Sequence, residues 1–240
     1  MTIDTNLSHA DQVTENLFQV RQQVEQLAID AGRDQASVRI LAVSKTKPLA
    51  DIQAAYQSGQ RAFGENYVQE AFDKYHALSE LTDIEWHFIG PIQSNKTRQI
   101  AESMDWVHSI DREKIARRLS EQRPDNMPTL QVCIQVNISG EESKSGILLE
   151  QLPAMVALVQ SLPNLQLRGL MAIPAPQQSF ATQCQVYQPL QQAFLELSES
   201  DSMIDTLSIG MSGDLPAAIS SGSTMVRVGT AIFGARDYAQ

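Results

Sequence analysis

Cysteine, histidine and positive charge are all scarce in this chain, and each shortage removes a class of function. Cys133 and Cys184 are the only cysteines among 240 residues. Neither sits in a CxxC pattern, so a disulfide scaffold and a thiol-based redox or zinc motif are excluded, and two reduced thiols are expected. His9, His76, His87 and His108 show no HxxH or HExxH spacing, which leaves no motif-built metal centre. No run approaches the roughly 20 apolar residues of a membrane helix. The N-terminus, MTIDTNLSHADQ, lacks the basic-then-apolar pattern of a secretory signal, and a cytoplasmic protein is expected. Lys and Arg number 18 against 28 Asp and Glu, a net charge of −10. Such a surface repels nucleic-acid phosphate, yet leaves room for a local basic pocket around one small anion.

What is present is apolar material for a sizeable core, 42% of the residues. Leu17, Val20, Val24, Leu27 and Ala31 recur at helical steps, predicting a first helix over about Asp11–Ala31 that Gly32 stops. Beyond it the chain alternates. Strands are expected at Val38–Ser44, Arg61–Phe63, Ile84–Ile89, Trp106–Ser109, Leu130–Asn137, Leu165–Leu170, Thr206–Ile209 and Met225–Val228. Helices are expected near Leu49–Gln57, Tyr67–Leu78, Lys96–Ser103, Arg112–Gln122, Glu150–Ser161, Ser179–Ser198 and Leu215–Ser220. Gly59 can end the first of these and Asp111 can cap the fourth. Eight strands separated by helices within about 200 residues predict a single α/β domain, a (β/α)8 TIM barrel over 37–238 with an extra N-terminal helix. An open doubly wound sheet typically has fewer strands.

Alternation along the strands sorts the side chains by face. Leu130, Val132, Ile134, Val136 and Ile138 share the face expected against the helices, which turns Gln131, Gln135 and Asn137 toward the barrel axis. The same parity turns His87, Ser208 and Arg227 inward. Leu165–Leu170 gives no clear parity, and both faces of Val38–Ser44 are apolar. Polar groups converging from several strands suggest a ligand.

Two segments carry most of the chemistry. In ILAVSKTKP, Ile40–Pro48, an apolar strand runs into Lys45 and Lys47 at the C-terminal end where such barrels place their sites. A desolvated lysine there is an amine nucleophile toward aldehydes; a solvated strand-end lysine is the plainer reading. In the last quarter, SIGMSGD and STMVRVGTAIFGAR place Gly210, Gly213 and Gly229 after strands seven and eight, where barrels often bind phosphate. Ser208, Ser212 and Thr230 add hydroxyls and Arg227 adds charge, although the glycines could serve only tight turns. FGENYVQE places Glu65, Asn66 and Tyr67 after strand two, with Asn66 either a ligand contact or a helix cap. WHFIGPIQSNK places His87 inside, as a core histidine or a pocket wall. The charged loop 139–146 is either solvated or a lid. No Ser-His-Asp or Cys-His set and no carboxylate pair can be assembled.

Together AVSKTKP, FGENYVQE, WHFIGPIQSNK, VHSIDR, QVNISGEESKSG, LRGLMAIP, LSIGMSGDLPAAI and GSTMVRVGTAIFGARDY resemble the pyridoxal phosphate homeostasis proteins (the YggS/PROSC family), in order from residue 42 to 238. The resemblance implies a barrel similar to the N-terminal domain of alanine racemase and pyridoxal 5′-phosphate (PLP) held as a Schiff base. It implies Lys45, rather than Lys47, as the imine-forming lysine. Ser208, Gly229 and Thr230 carry over as phosphate contacts, Gly210, Met211 and Ser212 line the same pocket, and Arg227 lies beside the phosphate or the pyridine ring. Asn66, His87 and Met171 carry over as pocket walls.

The expected function is vitamin B6 homeostasis: PLP held as a reversible Lys45 aldimine, with no turnover and no catalytic residue. In racemases of this fold the second acid/base comes from another domain across a dimer, and 240 residues leave no room for it. A monomer serving PLP-dependent apoenzymes follows. The alternative is a racemase- or decarboxylase-like PLP enzyme using His87, Tyr67 or a substrate group. A third reading is a cofactor-sensing module that binds a partner through loop 139–146.

Overall fold

The computed structural model describes residues 8–141 and 145–235. Eight parallel strands, β1 (Arg39–Val43), β2 (Ala62–Glu65), β3 (Glu85–Phe88), β4 (Trp106–Ile110), β5 (Leu130–Gln135), β6 (Leu165–Met171), β7 (Thr206–Ser208) and β8 (Met225–Val228), close on themselves in sequence order. Every crossover carries a helix: α2 (Leu49–Gln57), α3 (Val68–Ala77), α4 (Thr97–Ser103), α5 (Glu113–Gln122), α6 (Leu152–Gln160), α7 (Phe180–Ser200) and α8 (Leu215–Ser220). This is the predicted (β/α)8 barrel. Among the described residues no helix is long and apolar enough to cross a membrane.

Helix α1 (His9–Asp30) begins two residues before its predicted start, for a local reason. Ser8 caps it, accepting from the Asp11 N–H at 3.2 Å, and Asp11 answers through its carboxylate to the Ser8 N–H at 3.3 Å. Such a box is worth about 1 kcal/mol. The α1 stripe of Val13, Leu17, Val20, Val24 and Ala28 is buried against α2, α8 and α9 (Thr230–Phe233). Four of these large side chains contribute about 1.5–3 kcal/mol each by leaving water. The stripe therefore covers the seam where β8 meets β1.

Three local expectations need correction. Strand β2 runs over Ala62–Glu65 rather than Arg61–Phe63, so Glu65 belongs to the strand and is fully buried. Asp111 does not cap α5: Arg112 occupies the cap position with no side-chain cap bond, and Asp111 pairs with Arg112 instead. The predicted helix Glu150–Ser161 divides into a 3-10 turn, Leu149–Gln151, and α6.

The β6 parity that the sequence left unclear has a structural cause. The register steps from Val132↔Leu167 to Cys133↔Gly169, so Arg168 is an extra residue and the faces exchange there. Gly169 has φ +151, and a Cβ on it would lie 1.8 Å from the Thr206 carbonyl oxygen. Only glycine lets β7 approach so closely. Leu167 and Leu170 consequently both face the helices, and Met171 turns inward with Trp106 and Cys133.

Candidate functional site

The barrel interior is layered. At its N-terminal end Arg39 pairs with Glu85 at 2.8 Å, while Arg168 binds Asp205 and donates to Gln131 at 2.9 Å. The Arg168 guanidinium lies 4.8 Å over the Trp106 ring. Leu41, Ala62, Ile89 and Met225 fill one side of the next layers. The other side is polar. His87 stacks on Trp106 and contacts His108 between its Nδ1 and the His108 Nε2 at 2.9 Å. His108 Nδ1 is 2.8 Å from Ser208 Oγ, and Arg227 donates to that oxygen at 2.9 Å and to the Ala172 carbonyl at 2.9 Å.

Arg227 can only donate, so Ser208 Oγ accepts from it. The short His87 Nδ1–His108 Nε2 contact has room for one hydrogen only, so one of its two nitrogens accepts. The other His87 nitrogen, Nε2, faces the Glu85 carboxylate at 3.7 Å, a long contact. Burial favours the neutral form of both imidazoles and pushes both pKa values down, that of His108 furthest. The Glu85 carboxyl is held at about 2, by the facing His87 ring first and by Arg39 in addition. Arg227 is a buried cation that donates to the Ser208 carbonyl and hydroxyl and to the Ala172 carbonyl, with the Asp214 carboxylate acting on it from beyond ion-pair distance. A buried charge held mainly by neutral acceptors is compatible with an anionic or electron-rich ligand nearby.

The predicted site residues separate into two groups. Lys45, Asn66, Met211, Ser212, Gly229 and Thr230 lie at the C-terminal ends of the strands and reach solvent at least in part. His87, Met171, Ser208 and Arg227 are buried inside the barrel, and Gly210 is buried at the base of the loop after β7. The Ser208 hydroxyl is thus engaged by His108 and Arg227. Of loop 139–146, Glu142, Ser143 and Lys144 lie outside the described residues.

Local geometry distinguishes the two lysines after β1. Leu41 and Val43 belong to the interior cluster, and Lys45 follows two residues later at the first corner of the turn that ends the strand. Lys47 is turned away, its Nζ donating to the Phe233 and Ala235 carbonyls at 2.9 and 2.7 Å. Gly229 lies beside Val43, where a Cβ would come 3.1 Å from the Val43 carbonyl oxygen. The loop after β8 therefore adjoins the end of β1. Asn66 is not a helix cap, since Tyr67 holds the cap position of α3 without a side-chain bond. Its backbone is instead packed on Gly90, where a Cβ would fall 2.1 Å from the Asn66 carbonyl oxygen.

Several residues of this region were not singled out from the sequence. Asp214 accepts from the Met211 N–H at 2.6 Å and from the Tyr187 hydroxyl at 2.6 Å, which fixes the loop after β7. Gly210 within it has φ +95, with Ala218 Cβ 2.6 Å from where its own Cβ would be. Behind Lys45 the buried Lys74 ammonium donates to the Ser44 carbonyl, Glu65 and Glu70 at 2.7, 2.8 and 2.6 Å. Glu65 and Gly210 are singled out in the sequence by position, after strands two and seven; for Asp214, Glu70 and Lys74 the legible signals are the Asp after SG and the Glu70–Lys74 spacing of four.

The chain matches the alanine racemase N-terminal domain family over residues 10–237. It is 56% identical over 226 residues to the pyridoxal phosphate homeostasis protein of Pseudomonas aeruginosa, covering 94% of this chain and 96% of that one. To the protein of the same name from Escherichia coli K12 it is 54% identical over 230 residues, covering 95% and 98%. Among solved structures it is similar to PipY of Synechococcus elongatus with PLP bound, with a TM-score of 0.79, 35% identity, and coverage of 92% of this chain and 100% of PipY. Alanine racemase from Corynebacterium glutamicum shares the fold at a TM-score of 0.66 and 16% identity, with 95% of this chain covering 62% of that enzyme.

Proposed function

This chain belongs to the pyridoxal phosphate homeostasis proteins, and from that premise we propose that it binds PLP at Lys45 and holds it for release. One observation carries the reading. Lys45 sits in the turn just after β1, whose last residue Val43 lies against Gly229 of the loop after β8, and the neighbouring strand β8 carries the buried guanidinium of Arg227. In a chain of net charge −10 that is a local site for an anion with an electrophilic end.

PLP supplies an aldehyde that condenses reversibly with amines, and a phosphate that anchors it. The residues present fit both ends. Lys45 is the amine for the aldehyde. Gly210, Ser212, Gly229 and Thr230 supply backbone N–H groups and hydroxyls for the phosphate, while Met211, its N–H held by Asp214, lines the pocket and Ser208 sets the start of that loop. Arg227, held by Ser208 and Ala172, keeps positive charge beneath the ligand. Asn66 flanks the mouth, and His87 and Met171 form the floor. We assign no acid/base to His87, because it is fully buried with its Nδ1 engaged by His108. The protein works as a monomer that passes PLP to dependent apoenzymes in the cytoplasm.

The test is a titration of the chain with PLP, followed by borohydride reduction and peptide mass mapping. The expected result is one modified site, Lys45, lost in Lys45→Ala; an unmodified wild type would overturn the cofactor assignment. Amino-acid α-proton exchange in D2O is expected at the rate of free PLP. Stereospecific exchange well above that rate would show an enzyme instead of a carrier.

A further inference from the structure

The strand that delivers Lys45 does not stop in a relaxed conformation. The Lys47 N–H bonds the Ser44 carbonyl at 3.0 Å, closing a β-turn with Lys45 and Thr46 at its corners. Thr46 has φ +62, the one positive φ outside glycine among the described residues. That value at the second corner is the requirement of a type II turn, where glycine is the usual residue. A β-branched side chain there is strained, and strained backbone persists only where its surroundings hold it.

The surroundings in question are Glu65, Glu70 and Lys74. The Lys74 Nζ donates its three hydrogens to the Ser44 carbonyl, Glu65 Oε1 and Glu70 Oε1. Glu65 Oε1 also accepts from the Ser44 hydroxyl at 2.6 Å, and Glu70 Oε1 from the Thr46 N–H at 2.6 Å. The chain is gripped at two atoms just before Lys45 and at one just after it. Glu65 and Lys74 side chains are 0% and 7% exposed, so the grip on Ser44 is sheltered, while Glu70, at 25%, holds the Thr46 N–H at the solvent edge. All three residues lie on the outer side of the barrel wall, on β2 and α3, and none is a candidate contact for the ligand.

We propose that Glu65, Glu70 and Lys74 are positioning residues that hold the strained Ser44–Lys47 turn and thereby aim the Lys45 amine into the barrel mouth. The inference rests on the assignment of Lys45 as the attachment point. It adds that the reactivity and selectivity of this lysine over Lys47 come from a buried ionic cluster behind the wall. Charged partners in rigid geometry suit that purpose, because they oppose turn strain with several short bonds of fixed direction.

The experiment follows attachment of PLP to the full-length chain by stopped absorbance, then fixes it with borohydride and maps the modified lysines. Glu70→Gln keeps the shape and weakens the grip on the Thr46 N–H. We expect attachment at Lys45 to slow about tenfold and modification to spread to other lysines, as misaimed groups lose rate steeply. Thr46→Gly relieves the turn, so the double variant Glu70→Gln/Thr46→Gly is expected back within about twofold of the wild-type rate. Arg123→Met is the control for mere destabilisation: Arg123 is a buried cation holding the Ala101, Met104 and Pro128 carbonyls at the other end of the barrel. It is expected to lower the unfolding midpoint and leave the labelling pattern alone. Wild-type rate and selectivity in Glu70→Gln would overturn the proposal, as would equal slowing in Arg123→Met or a double variant as slow as Glu70→Gln. Lys74→Met is informative where it folds, and Glu70→Gln decides the matter where it does not. A wild type that never attaches PLP at Lys45 defeats the underlying assignment, a separate result.

Discussion

Acid should destabilise this barrel from the inside, through the pair His87 and His108. Both rings are fully buried and held neutral, so each binds a proton less readily in the fold than in the unfolded chain, where the ordinary value is 6.5. The sign follows from proton counting. As pH falls through 6.5 the unfolded chain takes up protons that the folded chain refuses, and stability falls. A histidine that stays neutral down to pH 5 costs about 2 kcal/mol relative to pH 7.5, and His87 adds to the loss in the same direction. Glu65 and Asp105 oppose this, because burial pushes their carboxyls up and the fold gains protons there. The difference between two proteins removes that background. His108→Gln keeps a polar side chain and deletes one titrating ring. Urea unfolding can be followed by the fluorescence of the buried Trp86 and Trp106 at intervals from pH 8 to 5. The wild type is expected to lose about 2 kcal/mol more than His108→Gln across that range, whatever the variant costs at pH 7.5. Parallel curves would refute the assignment of His108 as a neutral buried ring.

Three further outcomes can be checked. Gly169→Ala places a methyl 1.8 Å from the Thr206 oxygen, so a loss above about 3 kcal/mol or failure to fold is expected, whereas Gly213→Ala, with nothing within 4 Å of its Cβ, should stay within about 0.5 kcal/mol in urea unfolding. Tyr187→Phe removes the bond to Asp214 and is expected to cost about 1–2 kcal/mol of stability. It should also weaken PLP binding severalfold in equilibrium titration, since Asp214 holds the Met211 N–H. Arg227→Met removes the buried cation and should weaken PLP binding at least tenfold, about 1.4 kcal/mol; unchanged affinity would show that Arg227 does not serve the ligand.

Much of this was legible along the chain because it depends on local order. Alternation of apolar runs with helical stretches predicted eight βα units, and parity turned His87, Ser208 and Arg227 inward, where the fold places them. The α1 stripe and the stop at Gly32, with φ +71, were equally local. Parity failed at β6, because the bulge at Arg168–Gly169 is set by how closely β7 must pass. Lys45 and Lys47 are separated by one residue and are chemically alike, so the sequence alone offered both. In the fold Lys47 is held by carbonyls 186 and 188 residues away, partners that no local pattern announces. In the same way the chain announced polar residues for the interior but not their order: His108 Nδ1 meets Ser208 across 100 residues. The sequence by itself determined the periodicities, and with them the barrel and its inward faces. Only the closed tertiary structure decided which polar atoms satisfy one another, since those partners come from strands and helices distant along the chain. The same closure buried the Arg227 guanidinium against Ser208 and Ala172, partners 19 and 55 residues away.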